Sequence, residues 1–533
     1  MPHASVALAP QPVALGDLLA QTPVEVLTPE PIPQVWIRGI CMDSRDAFPG
    51  CLFVALPGIT TDGHRFIPQA IQNGAVVVLG TQSYATQSWP VPYLQVRDAR
   101  FALAYLAAAL YGFPARAMTI IGVTGTDGKT TTTNLIYQIL LAAGLKAGMI
   151  STVNAVIGDQ VLDTGFHVTT PEAPDVQRYL AQMREAGLTH AVLEATSHGL
   201  AQDRVTACEF DIAVVTNITH EHLDYHGSYE AYRAAKARLF QFLETTLPKA
   251  QGNPRLAVLN REDVSYTFLN DLVKGPKVTY GLQPDNNVWA EAIRQDAEGL
   301  TFVVHAGEQT FPIHSPLVGD YNVYNILAAV SATLLGLGVD SEAVRAGVAA
   351  LKGIPGRMER IDLGQDFLAI VDFAHTPNAL KRALQTVRQL TRGRIIAIFG
   401  SAGLRDREKR RLMAAESARL ADITILTAED PRTESLEEIL NVMVRAAVQA
   451  GAVEGKTVFR VPDRGEAIRL GVQMARPGDV VIALGKGHEQ SMCFGTVEYP
   501  WDDRLAMRAA LAERLGLTGY TMPYLPTQDG SFS

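Results

Sequence analysis

Short runs of β-prone apolar residues alternate with helical stretches along most of the chain, and each run ends in Gly, Asp, Asn or Thr. Strand followed by helix, repeated, predicts an α/β protein with parallel sheets. Three blocks emerge. The first carries the strand-like LFVAL, AVVVLG and PYLQV and closes near Pro114, after the helical FALAYLAAALYGF. The second opens with the strand MTIIGVTG from Met118 and runs to about Gly353. Gly353, Pro355 and Gly356 then punctuate the chain, and a third block follows to a helix around Arg504 to Leu515. The Pro/Gly/Ser-rich tail GYTMPYLPTQDGSFS is expected to be loose. The most apolar long run, from Tyr321, carries Asn, Ser and Thr, so it reads as a buried core helix and not a membrane span.

Length adds a domain estimate. At about 150 residues per domain, 533 residues give roughly three or four. The 46 Lys and Arg against 55 Asp and Glu leave a net charge of −9, which argues against a general nucleic-acid binder. Charged residues at 19% and hydrophobic ones at 47% exclude global disorder. Four scattered cysteines suit a reducing interior and not a disulfide framework. The start lacks a basic n-region, so no signal peptide is expected, and the chain reads as soluble and cytoplasmic.

The first chemical signal follows the strand from Met118. A Gly-rich turn leads to Lys129 and Thr130, which open a helix ending near Gly144. Backbone N–H groups and a helix N-terminus there would face phosphate oxygens; Lys129 would reach the β/γ-phosphates and the Thr130 hydroxyl would ligate Mg²⁺. The strict pattern GxxxxGK[ST] fails, because Val123 stands where its first Gly would be; the chain has the shorter GTDGKT, Gly125 to Thr130. A phosphate loop implies a nucleotide but leaves kinase, GTPase, motor and ligase open.

Further polar stretches in the second block fall on strand ends. Glu194 ends the run HAVLE and suits either Mg²⁺ or a helix cap; Thr196, Gln202 and Arg204 follow it. After the strand ending at Asn217 come His220, His222, Asp224 and His226. No matching ligand set stands elsewhere, so Mg²⁺ with phosphates accounts for them better than zinc. Lys236 lies on a helical stretch, where a lone Lys is ordinarily a solvated surface residue. In the third block four β-runs end in Asp372, Arg405, Asp430 with Arg432, and Lys486 with Glu489. Ligands of open α/β sheets bind outside the carboxyl ends of the strands, so these loops can converge on one anionic or zwitterionic ligand.

With these motifs, and with MDSR, TDGHRF, TTPEAPDVQ, EATSHGL, THEHLDYHG, YRAAKARLF, GDYNVYN, GRMER, DFAHTPNAL, DPRTE and GKGHE, the chain resembles the Mur ligase family from about Asp43 to Arg504. The resemblance implies three domains: an N-terminal UDP-binding domain (1–116), a central P-loop parallel-sheet ATPase domain (117–354), and a C-terminal Rossmann-like α/β domain holding an amino acid (355–533). It implies ATP at Gly125, Thr126, Asp127, Gly128, Lys129, Thr130, Thr131, Asn322, Asn325, Arg357 and Asp372. The UDP-muramoyl-dipeptide falls to Ser44, Arg45, Thr169, Thr170, Thr196, Gln202 and Arg204, and the amino acid to Arg405, Asp430, Arg432, Gly485 and Glu489. Lys129, Lys236, His222 and Glu194 are the implied catalytic set, with Thr130, Glu194, His222 and Lys236 around Mg²⁺. Lys236 matches a family lysine carbamylated by CO₂, which reverses its reading as a surface residue.

The implied reaction belongs to peptidoglycan synthesis, and so to cell-wall biogenesis, cell shape and division. ATP phosphorylates the D-glutamyl carboxylate of UDP-N-acetylmuramoyl-L-alanyl-D-glutamate, and the amine of a diamino acid displaces phosphate, with domain closure excluding water. The family's diaminopimelate signature DNPR reads Glu429, Asp430, Pro431, Arg432 here. Arg432 favours meso-diaminopimelate; the added charge of Asp430 favours lysine or ornithine. The implied partners are small molecules, with no nucleic acid and no membrane span, and the expected state is a monomer. A folylpolyglutamate synthase is the alternative, opposed by the uridine-type first domain and the TTPEAPDV stretch.

Overall fold

A computed structural model of the chain describes residues 6–28, 31–58, 61–83, 88–162, 170–219, 223–296 and 298–529, with backbone only for 6–10, 223 and 224. It forms two compact units. One comprises the chain up to Ile293 with Thr301–His314 and Tyr321–Ala350; the other comprises Arg294–Leu300, Ser315–Asp320 and the chain from Leu351 onward.

The first unit holds two sheets. In the five-stranded one the order is Val6–Ala14, Trp36–Cys41, Cys51–Val54, Ala75–Gly80, Tyr93–Gln95. Its first pair is antiparallel and the rest are parallel. The edge strand Val6–Ala14 escaped the sequence reading because Pro10 and Pro12 interrupt it, and an edge is where a strand tolerates Pro. The larger sheet centres on Thr119–Thr124, all six residues buried, between His190–Glu194 and Ile212–Val215 and parallel to both. Strands buried on both faces read as unbroken apolar runs, which is why these were legible. Val288–Asp296, Gly299–Ala306 and Gln309–Ser315 extend one edge in chain order; these three were not foreseen. The run from Tyr321 forms the helix Tyr321–Val330 and a π-turn, Ser331–Leu335. Its Ser331 and Thr333 are buried because their hydroxyls donate back to Leu327 O and Ala329 O, at 2.7 and 2.8 Å.

The second unit has a six-stranded sheet, ordered Glu359–Arg360, Leu368–Asp372, Val480–Leu484, Ile395–Phe399, Ile423–Leu426, Val458–Arg460. Only its first pair is antiparallel. Four strands of this sheet therefore send the foreseen polar loops out from one edge. The tail is not loose up to residue 529. Leu525 is fully buried and Thr527 Oγ1 donates to Asp463 Oδ2 at 2.6 Å. One apolar anchor outweighs a polar composition.

Candidate active site

The strand Thr119–Thr124 delivers the Gly-rich loop, and the helix Lys129–Ala142 leaves from it. Gly128 has φ +82°, and a Cβ there would lie 2.2 Å from Asn325 Oδ1, so only glycine fits between helix and asparagine. Asn325 in turn donates to Asn322 at 2.9 Å, and both are buried. The loop is braced by the end of the neighbouring strand. Asn217 O accepts from Thr126 N at 2.7 Å, Asn217 Oδ1 from Asp127 N at 3.0 Å, and Thr216 Oγ1 donates to Asp127 O at 2.6 Å. Sequence reading missed Thr216 and Asn217. Lys129 Nζ folds back onto Thr126 O at 2.9 Å. Thr131 sits half-buried on the first helical turn.

Thr130 Oγ1 reaches both Glu194 oxygens, at 3.2 and 3.0 Å, and Thr152 N donates to the same carboxylate at 3.0 Å. Both side chains are buried. A hydroxyl and a carboxylate are hard oxygen donors, a pair that suits Mg²⁺. No cluster of three or more His, Cys, Asp or Glu suited to a metal stands among the described residues. His222 and Thr169 lie outside the described residues. Lys236 is only 1% exposed, contrary to the reading of its sequence context as a solvated surface position. The helix Tyr229–Thr245 buries Tyr232, Lys236, Leu239, Phe240 and Leu243, so helical spacing carries Lys236 onto the core face. Its Nζ donates to Gly125 O at 2.5 Å and lies 4.7 Å over the Tyr232 ring, whose hydroxyl meets Thr126 Oγ1 at 2.9 Å. The lysine is thus packed against the phosphate loop.

A second set of foreseen residues adjoins Glu194. Thr170 Oγ1 donates to Glu194 O at 3.2 Å and meets Thr196 Oγ1 at 2.9 Å. Arg204 Nη1 donates to Thr170 O at 2.7 Å, and its Nη2 donates to Gln202 Oε1 at 2.8 Å. Two supports were not foreseen: Glu172, 2.7 Å from Arg204, and Tyr225, whose hydroxyl accepts from Gln202. At the carboxyl end of Trp36–Cys41, the buried Ser44 donates to Gln69 at 2.9 Å, while Arg45 is exposed and paired with Asp43.

In the second unit, Asp372 accepts from Met358 N and Ala374 N at 2.7 and 2.8 Å, and Arg357 lies 4.5 Å over Phe373. Across the same sheet edge, Lys486 has its side chain fully buried. Its Nζ lies 3.1 and 3.0 Å from the Asp430 oxygens and 2.5 Å from Glu489. Burial pulls Lys486 down, but Glu489 and Asp430 outweigh it and the net direction is up, so it stays charged. Asp430 also accepts from Cys493 N at 2.9 Å. Its charge, expected to meet a substrate ammonium, is therefore already met within the protein. Arg432 is half-buried and Arg405 exposed; neither guanidinium forms an ion pair with a described residue. Gly485 backs onto the buried Glu429, whose carboxyl burial raises. Burial, then the charges of Arg357, Arg504 and Lys486, push His488 down to about 3, so it is neutral.

Fold and phosphate loop together define an α/β enzyme that uses a nucleoside triphosphate. Residues 36–111 match the model of the Mur ligase family catalytic domain, 123–333 the Mur ligase middle domain, and 356–487 the Mur ligase glutamate ligase domain. The chain is 45% identical over 495 residues to a UDP-N-acetylmuramyl-tripeptide synthetase of Roseiflexus sp. (strain RS-1), covering 91% of this chain and 96% of that one. It is 42% identical over 473 residues to a UDP-N-acetylmuramoyl-L-alanyl-D-glutamate–2,6-diaminopimelate ligase of Geobacillus thermodenitrificans (strain NG80-2), covering 89% and 94%. A solved structure of a ligase of the latter description is 31% identical, with TM-score 0.64, covering 95% of this chain and 100% of that one. The chain belongs to the Mur ligase family, with its three-domain α/β fold, and is an ATP-dependent ligase that forms peptide bonds. No helix among the described residues is long and apolar enough to cross a membrane.

Proposed function

We propose that the protein joins a diamino acid, meso-diaminopimelate, to the D-glutamyl carboxyl of UDP-N-acetylmuramoyl-L-alanyl-D-glutamate. The observation that carries this is one unbroken polar chain in the first unit. It runs from Thr130 through Glu194 to Thr170, Thr196, Gln202 and Arg204. A nucleotide phosphate at one end and a substrate carboxylate at the other would be neighbours. The diaminopimelate choice is supported by the names of two relatives and by Arg432, a guanidinium suited to a carboxylate.

Lys129 would leave Thr126 O for the phosphates, and the loop N–H groups would hold the oxygens as charge develops. Gln202 and Arg204 would orient the substrate carboxylate toward the γ-phosphorus, which gives an acyl phosphate. The strand-end loops of the second unit would present the amine that displaces phosphate. Mg²⁺, held by Thr130, Glu194, His222 and a CO₂-derived carbamate on Lys236, would spread the phosphate charge. As a carbamate, Lys236 would exchange a buried cation for an anion, which suits a metal ligand and not its contact with Gly125 O. Uridine is assigned to Ser44 and Arg45, adenine to Asn322 and Asn325, and the ATP side of the second unit to Arg357 and Asp372. We assign domains to 1–116, 117–354 and 355–533, a cytoplasmic place of work, and a monomer.

Phosphate release, assayed with the UDP-dipeptide and a panel of amino acids, tests the reading. Release should depend on all three substrates and on a diamino acid. Release independent of the amino acid, or near-wild-type turnover by Lys236→Ala, would refute the ligase scheme or the carbamate respectively.

A further inference from the structure

We propose that Lys486 is the specificity-determining residue for the far end of the incoming amino acid. By holding Asp430 and Glu489 it leaves the loop cluster with an excess of positive charge, which selects a substrate bearing a distal carboxylate beside its ammonium. This rests on the reading that these loops hold the amino acid.

The geometry is specific. Lys486 has no exposed side-chain surface, so it touches neither solvent nor a free ligand directly. Its ammonium reaches both Asp430 oxygens, at 3.1 and 3.0 Å, and Glu489 at 2.5 Å, a full set for three donors. Asp430 is tied down further by the Cys493 N–H, at 2.9 Å, and its own carbonyl accepts from Gly403 N at 2.9 Å. Its backbone is held at φ +40° and that of Arg432 at +55°, conformations that L side chains rarely adopt. Arg432 is fixed by exchange with the hairpin beyond Lys486: its N donates to Cys493 O at 3.1 Å, and its O accepts from Gly495 N at 2.8 Å. Lys486 thus acts on the ligand through the residues it orients.

The charges then decide the choice. Three cations, Arg405, Arg432 and Lys486, stand against the two carboxylates of Asp430 and Glu489. The buried Glu429 is opposed by the charge of the neighbouring Lys409, so the two together leave that balance unchanged. L-Lysine, whose far end is a bare ammonium, meets this excess unfavourably. Diaminopimelate brings a carboxylate for Arg432 and keeps its ammonium for Glu489. Deleting Lys486 balances the cluster and frees Glu489, which has 24% of its side chain exposed, for a bare ammonium.

The test is kcat/KM for meso-diaminopimelate and for L-lysine, measured by phosphate release on the full chain, for wild type, Lys486→Met, Asp430→Asn and the double variant. Lys486→Met should lower the diaminopimelate-to-lysine ratio at least about tenfold. Asp430→Asn should keep or raise that ratio, and the double variant should return it to within about threefold of wild type. An unchanged ratio in Lys486→Met, with both substrates impaired alike, would make Lys486 structural only and overturn the proposal. A shift of Asp430→Asn toward lysine would overturn it independently, even if Lys486→Met did not fold. A wild type that releases phosphate with neither amino acid would instead refute the assigned function.

Discussion

Glu434→Gln tests how firmly the loop bearing Arg405 is set. Glu434 accepts from Arg410 Nη1 and Nη2 at 2.7 and 2.6 Å and from Leu404 N at 2.9 Å. Arg410 is 2% exposed and also donates to Ala402 O at 3.1 Å. One carboxylate therefore joins the loop 402–404 to the helix Arg407–Leu420. Breaking a buried pair costs about 3–5 kcal/mol, because the surviving charge is left uncompensated. Glutamine keeps the shape and one acceptor, so we expect the low end, about 3 kcal/mol. For a unit of this size that is roughly 6–12 °C in Tm. The pH dependence has a definite sign. The hydrogen bonds from Arg410 hold Glu434 at about 2, against an ordinary 4.5. A depressed carboxyl contributes its full stability above 4.5 and loses it as pH falls toward about 2. Thermal unfolding of both proteins from pH 7 to pH 3 should therefore show a gap that narrows below pH 4.5. In the same variant the KM for the amino acid should rise severalfold while that for ATP holds. Equal Tm at pH 7, or a gap that stays constant to pH 3, would refute the argument.

Three further outcomes follow from the first unit. Gly128→Ala, at φ +82° with its Cβ 2.2 Å from Asn325, should raise the KM for ATP at least about tenfold in steady-state assays and leave the UDP-dipeptide KM near wild type. Thr130→Val removes the hydroxyl that meets Glu194, so a Mg²⁺ titration of activity should shift to higher concentration by about tenfold or more. Lys249→Met should cost about 3–5 kcal/mol in urea unfolding, because Lys249 and Asp211 are both fully buried and paired at 2.5 Å and the variant strands the carboxylate.

Much of this was legible in the sequence, for reasons tied to particular elements. The strand Thr119–Thr124 and the four loop-bearing strands of the second unit are buried on both faces, so each wrote an unbroken apolar run that ended in its functional residues. The burial of Lys236 was also written there, since it follows Tyr232 by four residues and precedes Leu239 by three, but composition alone hid it. Gln309–Ser315 buries alternate residues, Phe311, Ile313 and Ser315, a period-two signal that went unread. Other features were not legible at all. Thr216 and Asn217 brace the phosphate loop only because their strand lies beside Thr119–Thr124 in the sheet. Asp430 looks like a free charge until the fold brings Lys486, 56 residues on, against it.

The lysine folded onto its own loop bears on what a bound phosphate would gain there. Lys129 donates to Thr126 O, and the loop N–H groups of Thr126 and Asp127 are answered by Asn217. A donor left without any partner would cost up to about 1–3 kcal/mol, and a phosphate that answered it would gain that much. These groups are already answered within the protein, so a phosphate oxygen that takes one of them exchanges one hydrogen bond for another. The exchange lowers the net gain of each such contact to a fraction of its gross strength.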